Sequence, residues 1–103
     1  MTLEQQLARL AEHGINLVPA VEITTHFIFE RDGFVALVER RDEGFGAIGA
    51  PGLLVASGGF AALVWRGSEP WFVARAFEQR ATDEQVEGIR RFAADLDLSI
   101  RGN

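Results

Sequence analysis

The dipeptide Asp32-Gly33 sits between two runs, Val21–Arg31 and Phe34–Arg41, that are rich in β-branched and aromatic residues. A two-residue loop between antiparallel strands needs positive φ at its centre, and Asp-Gly meets that need at little steric cost. Further turn signals follow at Glu43-Gly44, Ala50-Pro51-Gly52, Gly58-Gly59 and Gly67-Ser68-Glu69-Pro70. They divide the middle of the chain into strands over Val21–Arg31, Phe34–Arg41, Phe45–Ile48, Leu53–Ser57, Phe60–Arg66 and Trp71–Glu78. Parallel strands need crossovers of about a dozen residues or more, and every connection here is shorter. The expected core of the fold is therefore an antiparallel β-meander of five or six strands.

A helix is expected at each end of the chain. Thr2 and Gln5 form a T-x-x-Q capping box ahead of Leu3–His13, with Gly14 where a helix C′ residue belongs. Thr82 and Gln85 repeat the box ahead of Asp83–Leu96. Asp83 and Glu84 fall in that helix's first turn, where the macrodipole favours negative charge. Leu3, Leu7 and Leu10 make one apolar stripe, and Val86, Ile89, Ala93 and Leu96 another, with Phe92 widening it. Short apolar pieces, Ile15–Val18 and Leu98–Ile100, follow the two helices. The whole of residues 1–103 reads as one α+β domain, the N-terminal and C-terminal helices packed on one face of the meander.

Carrying the turns across the sheet gives a register. One row reads Phe27, Val38, Ala47, Leu54, Leu63, Ala74, with Phe29, Ala36, Trp65 and Phe72 beside it; this is the face for the helices, with Leu7, Leu10, Ile89, Phe92 and Leu96 expected to pack there. The opposite face carries a second apolar row, Ile28, Leu37, Ile48, Leu53, Val64, Val73. A meander with one wet face alternates apolar and polar residues, so a second apolar row needs a cover of its own. Either a curling of the sheet into a barrel-like closure or a second copy of the chain supplies one, and a homodimer is expected. Beside that row lie His26, Glu39, Gly46, Val55, Ala62 and Arg75, with Thr24, Arg41, Ser57 and Phe60 in the next.

Composition narrows the chemistry. The net charge is −5, which leaves no basic footprint for nucleic acid. Cysteine, tyrosine and lysine are all absent, so disulfides, thiol nucleophiles, Schiff bases and a P-loop lysine are excluded. Thr2-Leu3-Glu4-Gln5 has neither the basic start nor the apolar run of a signal peptide, and Phe60–Trp65 is too short to span a bilayer. A cytoplasmic protein without membrane contact is expected.

Gly44-Phe45-Gly46-Ala47-Ile48-Gly49 matches G-x-G-x-x-G, but Pro51-Gly52 follows where a dinucleotide site needs a helix. The glycines are read as serving a hairpin and a crowded sheet. The only conceivable metal set, His26 with Glu22 and Glu39, has no distinguishing spacing, and no metal or cofactor is expected. His13 is read as a helix C-terminal residue meeting the dipole, and Ser57 as a turn residue.

Two functions fit. The first is a small, non-catalytic, homo-oligomeric binding or interaction domain, favoured by the surplus apolar face and the scarcity of catalytic side chains. The alternative is a small-molecule enzyme or ligand pocket. There His26 and Glu39 are the candidate catalytic pair, because a carboxylate beside an imidazole orients it and supports general base work. Arg41, Gly46 and Arg75 are the candidate ligand residues, the glycine leaving room above the sheet and the arginines able to hold an anion.

Overall fold

Asp32 and Gly33 both adopt positive φ, 55° and 87°, as a two-residue hairpin of the mirror-image type requires. The computed structural model describes residues 2–19, 23–42, 44–55 and 59–102. Its elements are α1 (Leu3–Glu12), β1 (Asn16–Val18), β2 (His26–Arg31), β3 (Phe34–Arg41), β4 (Gly44–Ile48), β5 (Gly52–Leu54), β6 (Phe60–Arg66), β7 (Glu69–Ala74), β8 (Phe77–Arg80) and α2 (Asp83–Arg101). The sheet has eight strands, all paired antiparallel, in the order β1-β2-β3-β5-β6-β7-β8, with β4 also paired to β3. The α+β meander flanked by two terminal helices is thus present, with more strands than the five or six expected.

Both capping boxes form: each threonine hydroxyl accepts from the glutamine N–H three residues on, and each glutamine side chain accepts from the threonine N–H. The helices share one face of the sheet. Leu10 of α1 and Phe92, Leu96 and Ile100 of α2 are buried with Phe29, Ala36 and Val38. Ile89 closes a second cluster with Ala61, Phe72 and Ala81, and Phe34 touches both clusters. Gln6 donates to the Ile100 carbonyl at 2.7 Å, tying α1 to the end of α2. A third tie runs through Arg31, whose guanidinium donates to the His13 carbonyl at 3.0 Å and to Asp95 at 2.8 Å.

The strand β4 departs from the expected register. Arg41 faces Gly44 and Arg40 faces Phe45, but Val38 faces Ile48, not Ala47. One extra residue has entered the strand, as in a β-bulge. The chain then makes no hairpin at Ala50-Pro51-Gly52. It continues along β3, with Val35 opposite Gly52 and Phe34 opposite Leu53, after a second one-residue shift. β4 and β5 thus occupy one track. Ile48, Leu53 and Val55 turn to the helix side, where each packs against the core. This corrects the expected rows, in which Ala47 and Leu54 held those places; both are exposed.

Three smaller differences have local causes. A further hairpin, Ala74 opposite Phe77, breaks Trp71–Glu78 at Arg75-Ala76. Neither residue has positive φ, so the turn needs no glycine and leaves no mark in the sequence. The second helix runs on to Arg101, because Ile100 continues the buried stripe one turn past Leu96, and Gly102 ends it in the left-handed conformation. Leu98–Ile100 is therefore helix, whereas Ile15–Val18 supplies the edge strand β1. Leu7 and Trp65, both expected on the covered face, remain exposed. Of the expected strand from Val21, only His26–Arg31 is strand among the described residues; Val21, Glu22, Glu43, Ser57 and Gly58 lie outside them.

Candidate functional site

The stripe Leu3-Leu7-Leu10 on α1 is longer than the core beneath it. Leu10 is buried, while Leu3 and Leu7 are 44% and 46% exposed. They stand over the part of the sheet that α2 leaves open. Leu17 faces them from the edge strand β1, 52% exposed and opposite Phe29 in the sheet. Between these walls lies a groove of about 950 Å³. That volume is in the range of small-molecule sites, roughly 300–1,000 Å³.

The floor consists of three phenylalanines. Phe45 meets Phe27 at 5.2 Å and Phe29 at 5.6 Å between ring centroids, both nearly edge to face. Edge-to-face rings gain from their quadrupoles beyond the area they bury, which fixes the floor in one arrangement. The bulge in β4 is what brings Phe45 and Ile48 to the same side of the sheet. Gly44, at φ 136°, lies at the foot of Leu3, whose Cδ1 would be 3.8 Å from a Cβ at that position.

The rim is polar: Thr24, Thr25, His26, Glu39, Arg40, Arg41 and Asp42 border the groove. Arg40 lies over the Phe27 ring, its guanidinium carbon 4.3 Å from the centroid. Among the described residues no carboxylate comes within 4 Å of it. A cation thus rests on the apolar floor at one end of the trough.

The residues expected to carry chemistry are partly assembled. His26 stands directly opposite Glu39 in the β2–β3 ladder, and Arg41 is two residues on. Yet their polar atoms are committed elsewhere. The His26 Nδ1 is 2.8 Å from the Thr25 hydroxyl, and the Arg41 Nε donates to Glu39 at 2.7 Å. Among the described residues no hydrogen bond or ion pair links His26 to Glu39. Gly46 lies beneath the Arg41–Glu39 pair, and a Cβ there would be 2.5 Å from the Arg41 Nε and 2.9 Å from the Glu39 Oε1. Arg75 is not with them. It occupies the β7–β8 turn, exposed, and β7 is three strand positions from β3. The groove's own walls, Leu3, Leu7 and Leu17, were not singled out by the sequence, although the surplus leucines on α1 carried the signal.

Gly44–Ile48 of the glycine-rich run is strand, and the chain continues through Gly49 into Pro51 and β5 without opening a helix. His13 caps α1, its backbone N–H donating to the Arg9 carbonyl and that of Gly14 to Ala11, and the His13 Nδ1 lies 3.9 Å from Asp95. Among the described residues, no three or more of His, Cys, Asp and Glu are grouped to hold a metal ion. Among them, too, no helix is long and apolar enough to cross a membrane. The chain matches no family model, no curated protein and no solved structure.

Proposed function

We propose that this domain is a non-catalytic binding module whose groove takes a small amphiphile: an apolar body with a carboxylate or similar acidic head. The observation that carries this reading is Arg40 laid across Phe27 at the end of an aromatic and leucine-lined trough. Leu3, Leu7 and Leu17 stand partly in water, and a ligand between them removes apolar area at about 25 cal/mol per Å². The guanidinium offers a planar fork of donors matched to a carboxylate, and the ring beneath it limits its motion. His26, with Nδ1 bonded to Thr25, has Nε2 left to bond the same head.

Calorimetric titration with decanoate and with decanol tests the proposal. Both are expected to bind at one site per chain, decanoate more tightly. Arg40→Gln should weaken decanoate by roughly tenfold, a charged hydrogen bond's worth, and leave decanol within about twofold. Leu17→Glu should weaken both. Binding of neither compound, or equal loss of both on Arg40→Gln, overturns the reading.

A further inference from the structure

We infer that the sheet face opposite the helices is the interface of a symmetric dimer of this chain. Both helices lie on the other side, so neither covers this face. Six of the apolar side chains that alternate outward in the observed register are Ile28, Leu37, Leu54, Val64, Trp71 and Val73; Val35, 1% exposed, and Phe60 lie on the same side. Leu54 and Val64 are 41% and 37% exposed, and the other four of the six are half-buried. Leu54 takes the place expected for Leu53, because of the shifts along β3.

The shape and area of the molecule favour a second copy as the cover. Its axes are 39 × 29 × 21 Å, the short one being a sheet with a single helix layer. The accessible surface is 6636 Å². A compact monomer of 11.3 kDa has about 5,700 Å², so this chain shows roughly 900 Å² more. A standard stable interface removes about 800 Å² from each partner. The excess, to which the groove's exposed Leu3, Leu7 and Leu17 also contribute, is comparable to what one face-to-face contact hides.

The charges bordering the face point the same way. A two-fold contact sets like surface against like, so an unpaired charge tends to meet its own copy. Here Arg66 is bonded to Glu78, Arg80 to Glu69 at 3.2 Å, and Arg41 to Glu39 at 2.7 Å. Glu30 accepts from the Gly33 N–H. Three neutral ion pairs thus surround the apolar strip, while Glu30 keeps its charge against a backbone amide. Such a surface suits a copy of itself better than a basic or acidic partner.

Analytical ultracentrifugation with small-angle scattering tests this on the intact chain. Wild type is expected to sediment as a dimer at tens of micromolar, and its envelope should double the 21 Å axis while keeping the other two. Val64→Glu and Leu54→Arg, both at exposed positions that the isolated fold tolerates, should each raise the dimer dissociation constant by roughly 100-fold or more, because each places an unpaired charge in an apolar contact. Leu17→Glu, in the groove, should leave the dimer intact. A wild type that stays monomeric at several hundred micromolar overturns the inference. So does an envelope lengthened by edge pairing of β1 or β8, or a dimer indifferent to both face substitutions.

Discussion

The ring of Phe34 lies against the backbone of Gly88, so closely that a Cβ on the glycine would stand 2.7 Å from its Cε2 and 3.0 Å from its Cζ. Phe34 follows the Asp32-Gly33 turn and is the side chain common to both core clusters. Gly88 is thus the place where α2 comes down onto the sheet. A glycine inside a helix costs about 1 kcal/mol relative to alanine, and here it gives the ring its seat.

Gly88→Ala is therefore expected to destabilise the protein by about 1 kcal/mol, against the direction that helix propensity alone gives. Urea unfolding measures it. Phe34→Leu in the same chain should relieve the clash, so the double variant should be less unstable than the two single losses added together.

Gly52→Ala should be more damaging. A Cβ there would lie 2.2 Å from the Ala61 carbonyl oxygen, which belongs to the backbone of β6 and cannot rotate away. The ring of Phe60 closes the other side, its Cζ 2.8 Å off. Overpacking of this kind commonly costs roughly 1–3 kcal/mol, and a backbone obstacle places this case at the upper end. A thermal midpoint within about a degree of wild type would show that β5 and β6 can part at no cost.

The Arg31–Asp95 bond joins β2 to α2, and the same guanidinium holds the end of α1 through the His13 carbonyl. Both partners are only partly shielded, their side chains 20% and 33% exposed, so the pair is worth less than a buried one. Asp95→Asn should cost about 1 kcal/mol. Arg31→Met should cost somewhat more, because it also releases the His13 carbonyl. Amide exchange should rise at Ile15 and Asn16 in the arginine variant and not in the aspartate one.

Thr82→Ala removes an acceptor from the start of the longer helix, where the Gln85 N–H is bonded at 3.1 Å. A loss of about 1 kcal/mol is expected. Thr2→Ala makes the same change on α1, whose first turn presents Leu3 and Leu7 to the groove. Its effect should appear as fraying of that helix in amide exchange more than in global stability.

Features that rest on local chemistry could be read from the residues. Asp32-Gly33 set the hairpin and with it the facing of His26 and Glu39; the T-x-x-Q boxes set both helix starts; two amphipathic stripes put both helices on one face. What could not be read depends on distant packing. Nothing around Ala47 marks the extra residue in β4, which is settled by Phe45 and Ile48 both finding apolar cover. Arg75-Ala76 turns without glycine because neither residue needs a positive φ. The candidate site divides in the same way. His26, Glu39 and Arg41 follow from the first hairpin and lie on the groove's rim, whereas Arg75 depended on a strand that in fact ends at Ala74. The floor of Phe27 and Phe45 was legible only as core, since an aromatic in a strand has the same signature in either role.

The two one-residue shifts along β3 also act on how this chain can change length. Each shift alone reverses which side of the sheet the following residues take, and together they restore it: Phe45 and Leu53, an even number of residues apart, share the helix side, as do their partners Arg40 and Phe34. Loss of one residue at either shift removes that bulge and still leaves Leu53 opposite Phe34, because the missing residue and the missing shift cancel. Loss of two, one at each shift, returns an ordinary ladder with every face preserved. The track between Phe45 and Leu53 can therefore shorten by one residue or by two without turning a core side chain outward, each bulge being a place where length is absorbed.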